Sequence, residues 1–378
     1  MERDQASKFV NDLLRLMVSR NGSDLFLTAE FPPAIKIDGE ITRVSPQPLS
    51  GQHTQALARA IMNDKQAAEF ERSKECNFAI APAGIGRFRV NCFIQMGKVG
   101  IVMRTIPARI PTIDELELPQ VLKNVALAKR GICILVGGTG SGKTTTLAAM
   151  VDWRNEHTHD HIVTVEDPVE FVHTHKNCIV TQREIGLDTE NWENALKNSL
   201  RQAPNVILMG EIRDRETMEH AITFSETGHL CMATLHANSA NQAMERIINF
   251  FPQERHAQML KDVSLNLKGM IAQRLLPRQS GKGRYAVVEV LLHSGLIADQ
   301  IMKGEINEIK ETMKKSREVG MQTFDQALFD AFEARLISYE EAVRNADSQN
   351  DLKLNIKLNS QRARSADLSA GTEHLTLV

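Results

Sequence analysis

The chain has 378 residues, which is long enough for two domains with hydrophobic cores. Its formal net charge of -2 lacks the basic surplus that nucleic-acid-binding surfaces usually carry. The charged N-terminus is unlike a secretory signal, and no run approaches the roughly 18 apolar residues of a membrane span. The five scattered cysteines form no CxxC pair, which is typical of reduced, buried thiols. We therefore expect a cytoplasmic protein with no nucleic-acid partner and no direct membrane insertion.

Residues 1–106 have the pattern of one α+β domain. Apolar side chains recur at helical spacing over residues 9–18, and a second helix is predicted at residues 55–71. Asp38-Gly39 between two apolar runs predicts a hairpin. Further on, residues 86–95 alternate between apolar and polar side chains, which predicts a strand that pairs with residues 98–104.

Strand and helix patterns alternate in the second part of the chain, after a proline-containing linker at residues 107–113. Short apolar runs of the kind buried in parallel sheets occupy residues 131–136, 162–165, 206–209 and 230–234. This alternation predicts a doubly wound α/β domain over residues 114–347. Helices are also expected at residues 258–274 and 324–336. Residues 348–378 are expected to form a loose polar tail, with an extended stretch at residues 352–358.

A P-loop motif follows the first of these apolar runs and precedes a helix-compatible segment at residues 145–153. Its glycines let backbone N–H groups point at phosphate oxygens, assisted by the N-terminus of the following helix. The lysine is expected to reach the β- and γ-phosphates, and the last threonine to supply a hydroxyl to Mg²⁺. The motif comprises Gly137, Gly138, Thr139, Gly140, Ser141, Gly142, Lys143 and Thr144.

Two glutamates follow predicted strands at the edge where α/β proteins bind ligands. Glu211 comes directly after residues 206–209, and we expect its carboxylate to polarise the water that attacks the γ-phosphate. Glu166 follows residues 162–165 and could orient that water or bind Mg²⁺ through water. The alternative for both is a solvated or helix-capping carboxylate.

Thr234 and His236 end the strand at residues 230–234, where they could report the presence of the γ-phosphate. A lone histidine is also often just a satisfied polar group. Arg87, Arg89 and Arg104 lie on two adjacent predicted strands. They form either a solvated surface or the extra positive charge that a transferred phosphate needs, supplied from another domain or subunit.

These motifs, in this order and spacing, resemble those of the secretion ATPases of type II and type IV pilus systems. Beside the P-loop, three segments resemble that family's aspartate box (residues 162–171), Walker B region (residues 200–214) and histidine box (residues 228–238). Residues 23–25 and 32–39 resemble the family's PAS-like domain. The resemblance implies an N-terminal PAS-like α+β domain followed by a RecA-like doubly wound P-loop ATPase domain, with Glu211 as the catalytic glutamate.

Within that family the chain is similar to the retraction branch, the PilT/PilU ATPases, because it lacks a paired-CxxC insertion and a longer N-terminal region. Ala203 and Asn205 stand where PilT-type members commonly have aspartates, and Phe26 replaces a typical histidine, so the chain resembles the PilU-type members more closely. At residues 295–299 the sequence departs from the AIRNL-type helix of the PilT type. We expect that helix to be missing.

The resemblance implies a hexameric ring motor that uses ATP and Mg²⁺ in type IV pilus retraction and twitching motility. Its implied partners are further copies of itself, a PilT-type retraction ATPase and the inner-membrane pilus platform protein, which would place it at the periphery of the inner membrane. Two alternatives stay open at this point. The chain could be a VirB11-like secretion ATPase, or a regulatory subunit that binds ATP without acting as a motor.

Overall fold

The computed structural model describes residues 2–37, 39–107 and 109–363. It divides the chain into two units, each of which is described by itself. The first unit comprises Met1–Arg109 and Glu170–Val172, and the second comprises Ile110–Val169 and His173–Val378.

The first unit is an α+β structure with a six-stranded sheet of order β3-β2-β1-β6-β5-β4, in which all neighbours are antiparallel. Its elements are α1 (Arg3–Ser19), β1 (Asp24–Thr28), β2 (Ala34–Ile37), β3 (Glu40–Arg43), α2 (Gly51–Ile61), α3 (Asp64–Ser73), β4 (Glu75–Ile80), β5 (Arg87–Gln95) and β6 (Lys98–Ile106).

Most elements predicted for this unit are confirmed. The hairpin joins β2 to β3 with Ile37 opposite Glu40, and Gly39 adopts a φ of 90°, a conformation that glycine adopts without strain. Along β5 the side chains of Phe88, Val90 and Cys92 are fully buried, as the alternation predicted. They belong to the core of this unit together with the buried face of α1.

The single helix predicted at residues 55–71 is wrong, because the chain forms two helices there. Asn63 interrupts the pattern with an extended backbone and caps the N-terminus of α3. Its side chain accepts a hydrogen bond from the Gln66 amide, and the Gln66 side chain accepts one from the Asn63 amide. This reciprocal cap satisfies two amides that a helix start leaves unpaired, and it was readable as Asn-x-x-Gln.

The second unit is a doubly wound α/β structure with a seven-stranded sheet of order β13-β12-β7-β11-β10-β8-β9. Its elements are α4 (Val121–Ala126), β7 (Gly131–Val136), α5 (Lys143–His157), β8 (His161–Glu166), β9 (Ile179–Glu184), α6 (Trp192–Ser199), β10 (Val206–Met209), α7 (Arg215–Glu226), β11 (Leu230–Leu235), α8 (Ala240–Asn249), α9 (His256–Asn266), β12 (Leu267–Pro277), β13 (Arg284–Leu292), α10 (Gly295–Lys303), α11 (Ile306–Lys315), α12 (Phe324–Glu333), α13 (Tyr339–Arg344) and α14 (Gln349–Asn359).

The four predicted central strands are confirmed as β7, β8, β10 and β11, and they pair in parallel. The strand β12 also runs parallel to β7, whereas β13 is antiparallel to β12. Every residue of β7, β10 and β11 is buried, which explains their continuous apolar sequence. Because parallel strands present their carboxyl ends at one edge, the segments that follow these strands meet there.

Three predictions for the second half of this unit are wrong. Residues 258–266 are helical as predicted and belong to α9, but residues 267–274 form the first part of the long strand β12 instead of continuing the helix. Residues 352–358 are helical rather than extended, because Leu352 and Ile356 lie one turn apart and are both buried against the core. Residues 295–299 begin α10, so the helix expected to be missing is present with different side chains.

The loose polar tail is also a wrong prediction for its first part. Ser360 is fully buried, and Arg362 stacks on the Phe332 ring with its guanidinium carbon 4.2 Å from the ring centroid. Residues 364–378, on which the rest of the prediction falls, lie outside the described residues. Among the helices of the described residues, none is long and apolar enough to cross a membrane.

Candidate active site

The P-loop lies between β7 and α5, as the sequence predicted, and its glycines are required by the geometry. Gly140 and Gly142 adopt φ values of 76° and 85°, in the left-handed region that side chains disfavour. A Cβ atom on Gly137 would lie 2.3 Å from Ser141 Oγ, so only glycine fits there. The loop can therefore curl and direct backbone amides inward at the N-terminus of α5.

Lys143 begins α5 and is only 7% exposed. Its ammonium group donates hydrogen bonds to the carbonyl oxygens of Gly137 at 2.7 Å and Gly138 at 2.8 Å. Nearby, the buried Oγ of Ser141 has no hydrogen-bond partner among the described residues. A buried ammonium, an unsatisfied hydroxyl and a helix N-terminus form a cradle that fits a phosphate chain, and Thr144 supplies the hydroxyl expected to bind Mg²⁺.

Gln273, which sequence reasoning missed, fastens the P-loop to the neighbouring strand β12. It is 4% exposed, and its amide nitrogen donates to the carbonyl oxygen of Ser141 at 2.8 Å. Its amide oxygen accepts a hydrogen bond of 2.7 Å from the hydroxyl of Thr146 in α5. The side chain therefore joins the loop and the first turns of its helix. A glutamine inside an apolar run was the available signal.

Glu211 and His236 follow two adjacent strands, β10 and β11, and their side chains are in contact. His236 Nε2 lies 3.5 Å from Glu211 Oε1, and both side chains are a little over one-third exposed. Thr234 links the two strand ends, since its hydroxyl donates to the Gly210 carbonyl at 2.5 Å and its carbonyl accepts from the Ile212 amide at 2.8 Å. Two of the predicted site residues are thus brought together at the carboxyl edge of the sheet.

Glu166 ends β8 at the same edge and is 8% exposed. Its Oε1 accepts a hydrogen bond from the Thr164 hydroxyl at 2.7 Å and another from the Gln182 amide at 3.2 Å. Gln182 belongs to β9, the next strand of the sheet. These two donors fix the orientation of the carboxylate, which suits a group that orients water. Neither donor was predicted from the sequence.

The three arginines belong to the first unit. Arg89 on β5 lies directly opposite Arg104 on β6, and Arg104 Nε forms a 2.7 Å contact with Asp24 Oδ1. The Nε atom of Arg87 is buried and has no hydrogen-bond partner among the described residues. Their action on a phosphate remains a prediction. In the second unit, Asn205 precedes β10 and its side chain accepts from the His161 amide at 2.9 Å, at the end of the sheet opposite Glu211.

The sequence matches one family over nearly its whole length. Residues 5–344 match the family described as Type II/IV secretion system protein. The chain is 56% identical over 365 residues to the type IV pilus ATPase PilU of Pseudomonas aeruginosa, with 97% of this chain and 95% of that protein covered. It is 40% identical over 337 residues to the retraction ATPase PilT of the same organism, covering 89% of this chain and 98% of PilT.

The fold also matches a solved structure, that of the pilus retraction motor PilT with bound ADP. The TM-score is 0.86 at 36% identity, with 91% of this chain and 99% of that chain covered. The comparison confirms the predicted resemblance to the PilT/PilU retraction ATPases.

Proposed function

The chain belongs to the Type II/IV secretion system protein family, and from this premise we propose that it is an ATPase that powers type IV pilus retraction beside a PilT-type motor. The observation that carries the proposal is the site in the second unit. A phosphate cradle with a buried lysine and a paired glutamate and histidine both lie at the carboxyl edge of the parallel strands of one sheet. That combination supplies what hydrolysis of a nucleoside triphosphate requires.

The residues divide the chemistry among themselves. Backbone amides of the P-loop and the ammonium of Lys143 bind the β- and γ-phosphates and offset their charge. Glu211 polarises the attacking water, and His236 beside it senses the γ-phosphate. Glu166, held by its two donors, orients the water from the neighbouring strand end. When bound, Mg²⁺ neutralises phosphate charge, and the Thr144 hydroxyl is its protein ligand.

Assembly into a hexameric ring at the inner-membrane platform protein is the second part of the proposal. The high identity to PilU and PilT supports it. In such a ring Arg87, Arg89 and Arg104 would supply positive charge to a nucleotide phosphate. The presence of α10 with side chains that depart from the PilT type supports retained folding with an altered surface. We therefore propose an accessory motor that acts together with a PilT-type ring.

The test is pilus retraction in cells that lack PilT, compared with cells that carry a catalytically inactive PilT. We expect this protein to restore retraction only in the second case. The matched control is Lys143→Ala, which removes the charge that holds the transferred phosphate and should abolish the restored retraction and the ATPase activity of the purified protein. Normal retraction without PilT would contradict the accessory role, and an inactive purified protein would contradict the ATPase itself.

A further inference from the structure

The histidine loop, residues 236–239, connects β11 to α8 and carries His236 at its first position. His236 Nε2 lies 3.5 Å from Glu211 Oε1, on a side chain that is 38% exposed. Because the imidazole ring of His236 is partly exposed, its position depends on how the rest of the histidine loop is anchored. Two buried or partly buried charged residues, outside every motif considered so far, fasten that loop.

Glu289 on β13 holds the end of the histidine loop. It is 2% exposed, and its Oε1 accepts a hydrogen bond of 2.7 Å from the amide of Ala240, the first residue of α8. The amide of Phe324, the first residue of α12, also donates to this carboxylate. Two helix N-termini therefore converge on one buried acid, and their dipoles favour its negative charge. Glu289 ties the histidine loop to the start of α12.

Arg274 on the adjacent strand β12 holds the middle of the same loop. One of its terminal nitrogens donates to the Asn238 carbonyl at 3.2 Å and pairs with Asp347 at 3.0 Å. The other donates to the Asn345 carbonyl, and the guanidinium lies 4.0 Å from the centroid of the Phe324 ring. The planar fork of arginine thus joins the histidine loop to the segment between α13 and α14.

Further charged groups complete this network from the surrounding helices. Lys310 on α11 forms a 2.7 Å ion pair with Asp347, and Asp325 on α12 accepts from the Asp347 amide at 2.7 Å. Burial alone raises the pKa of Asp347, but Lys310 and Arg274 outweigh that effect and leave the pKa lowered. The carboxylate of Asp347 therefore stays charged and binds both cations. The network joins β12 and β13 to the helices α11 and α12 and to the segment between α13 and α14.

We propose that Glu289 and Arg274 are positioning residues for the hydrolytic step, which hold the histidine loop so that His236 stays against Glu211. The proposal rests on the proposed ATPase function. Because the same two side chains hold the starts or ends of the C-terminal helices, a displacement of those helices displaces His236. The position of His236 is thereby coupled to the start of α12 and to the segment between α13 and α14.

A double-mutant cycle on ATP hydrolysis by the full-length protein tests this inference. We expect Glu289→Leu to lower kcat about tenfold with little change in KM for ATP, because the cradle is untouched while the histidine moves. In a His236→Ala background the same substitution should lower kcat no further, because a residue that acts through His236 has nothing left to position. Glu289→Gln keeps an acceptor of the same shape and should restore most of the activity.

The control is Arg317→Met, which breaks the ion pair with Asp330 among the C-terminal helices without contact to the histidine loop. It should leave kcat unchanged. If Glu289→Leu fails to fold in a circular dichroism melt, Arg274→Met takes its place in the cycle. A folded variant with normal kcat, or an equal fall with and without His236, would overturn the inference. Hydrolysis by the parent protein tests the proposed function separately, so a failure of that function can be distinguished from a failure of the inference.

Discussion

Glu211 is the residue on which the hydrolytic assignment depends most directly. The substitution Glu211→Gln preserves the shape of the side chain and removes the carboxylate that we propose polarises water. We expect ATP binding to be retained and kcat to fall by about 100-fold or more, the usual contribution of a general base. Binding of a fluorescent ATP analogue and steady-state hydrolysis measure the two effects. Turnover near the normal rate would transfer the role to Glu166, for which Glu166→Gln is the companion variant.

A second prediction at the residue scale concerns the pKa of Glu289. Burial raises this pKa from the usual value of 4.5 to about 7, although the hydrogen bond from the Ala240 amide opposes the rise. The folded protein therefore binds a proton more tightly than the unfolded chain does. The contribution of this group to stability is greatest below pH 4.5 and declines as the pH rises to about 7. From the size of the shift, this decline amounts to something on the order of 3 kcal/mol.

Chemical denaturation between pH 5 and about 8 measures this difference when the parent protein is compared with Glu289→Gln. The variant cannot titrate at this position, so its free energy of unfolding should decrease less than that of the parent protein over the same pH interval. Parallel curves for the two proteins would show that Glu289 ionises in the folded state as easily as in the unfolded chain.

At the scale of elements, residues 360–362, which follow α14, pack on the second unit. Ser360 is fully buried and contacts Glu333, while Arg362 donates to the Phe332 carbonyl and to Gln279 Oε1 at 2.9 Å. Removal of residues 359–378 deletes the hydrogen bonds from Ser360 to Glu333 and from Arg362 to the Phe332 carbonyl, together with the packing of these residues. We expect the melting temperature to fall by roughly 4 °C while hydrolysis by the folded protein is retained.

A full-length double variant, Ser360→Ala with Arg362→Met, separates these contacts from the rest of the removed segment. It should reproduce most of the fall in melting temperature, because the same hydrogen bonds and the stacking on Phe332 are lost. An unchanged melting temperature in the truncated protein would show that the contacts of residues 360–362 add no net stability.

For the whole molecule, the prediction concerns assembly. In the presence of ATP we expect a closed ring, which the resemblance to PilT/PilU ATPases implies is a hexamer. In that ring we expect Arg87, Arg89 or Arg104 to contact a nucleotide phosphate. Multi-angle light scattering with ATP and Mg²⁺ measures the mass directly, and a stable monomer would refute the ring. The arginines are tested separately by Arg89→Ala and Arg104→Ala, which should lower kcat if the prediction holds. Unchanged hydrolysis in both variants, and in Arg87→Ala, would remove the arginines from the site.

The sequence by itself determined the α/β class and the P-loop and led to the prediction that Glu211 is catalytic, because each depends on local pattern. Buried parallel strands require continuous apolar runs, and a phosphate loop requires glycine at fixed positions, so β7 and Gly137, Gly140 and Gly142 could be read directly. The hairpin at Gly39 was readable for the same reason. In each case the residues that decide the structure are neighbours in the chain.

Tertiary structure decided the features that depend on distant residues. The strand β12 was mistaken for a helix because its apolar run is buried on both faces and has no alternation, so only pairing with β7 and β13 reveals it. The helix α14 and the burial of Ser360 depend on the core that receives them. Gln182, Gln273 and Glu289 acquire their roles from partners on other strands and helices. A polar residue inside an apolar strand predicts a buried hydrogen bond, but only the tertiary structure identifies its partner.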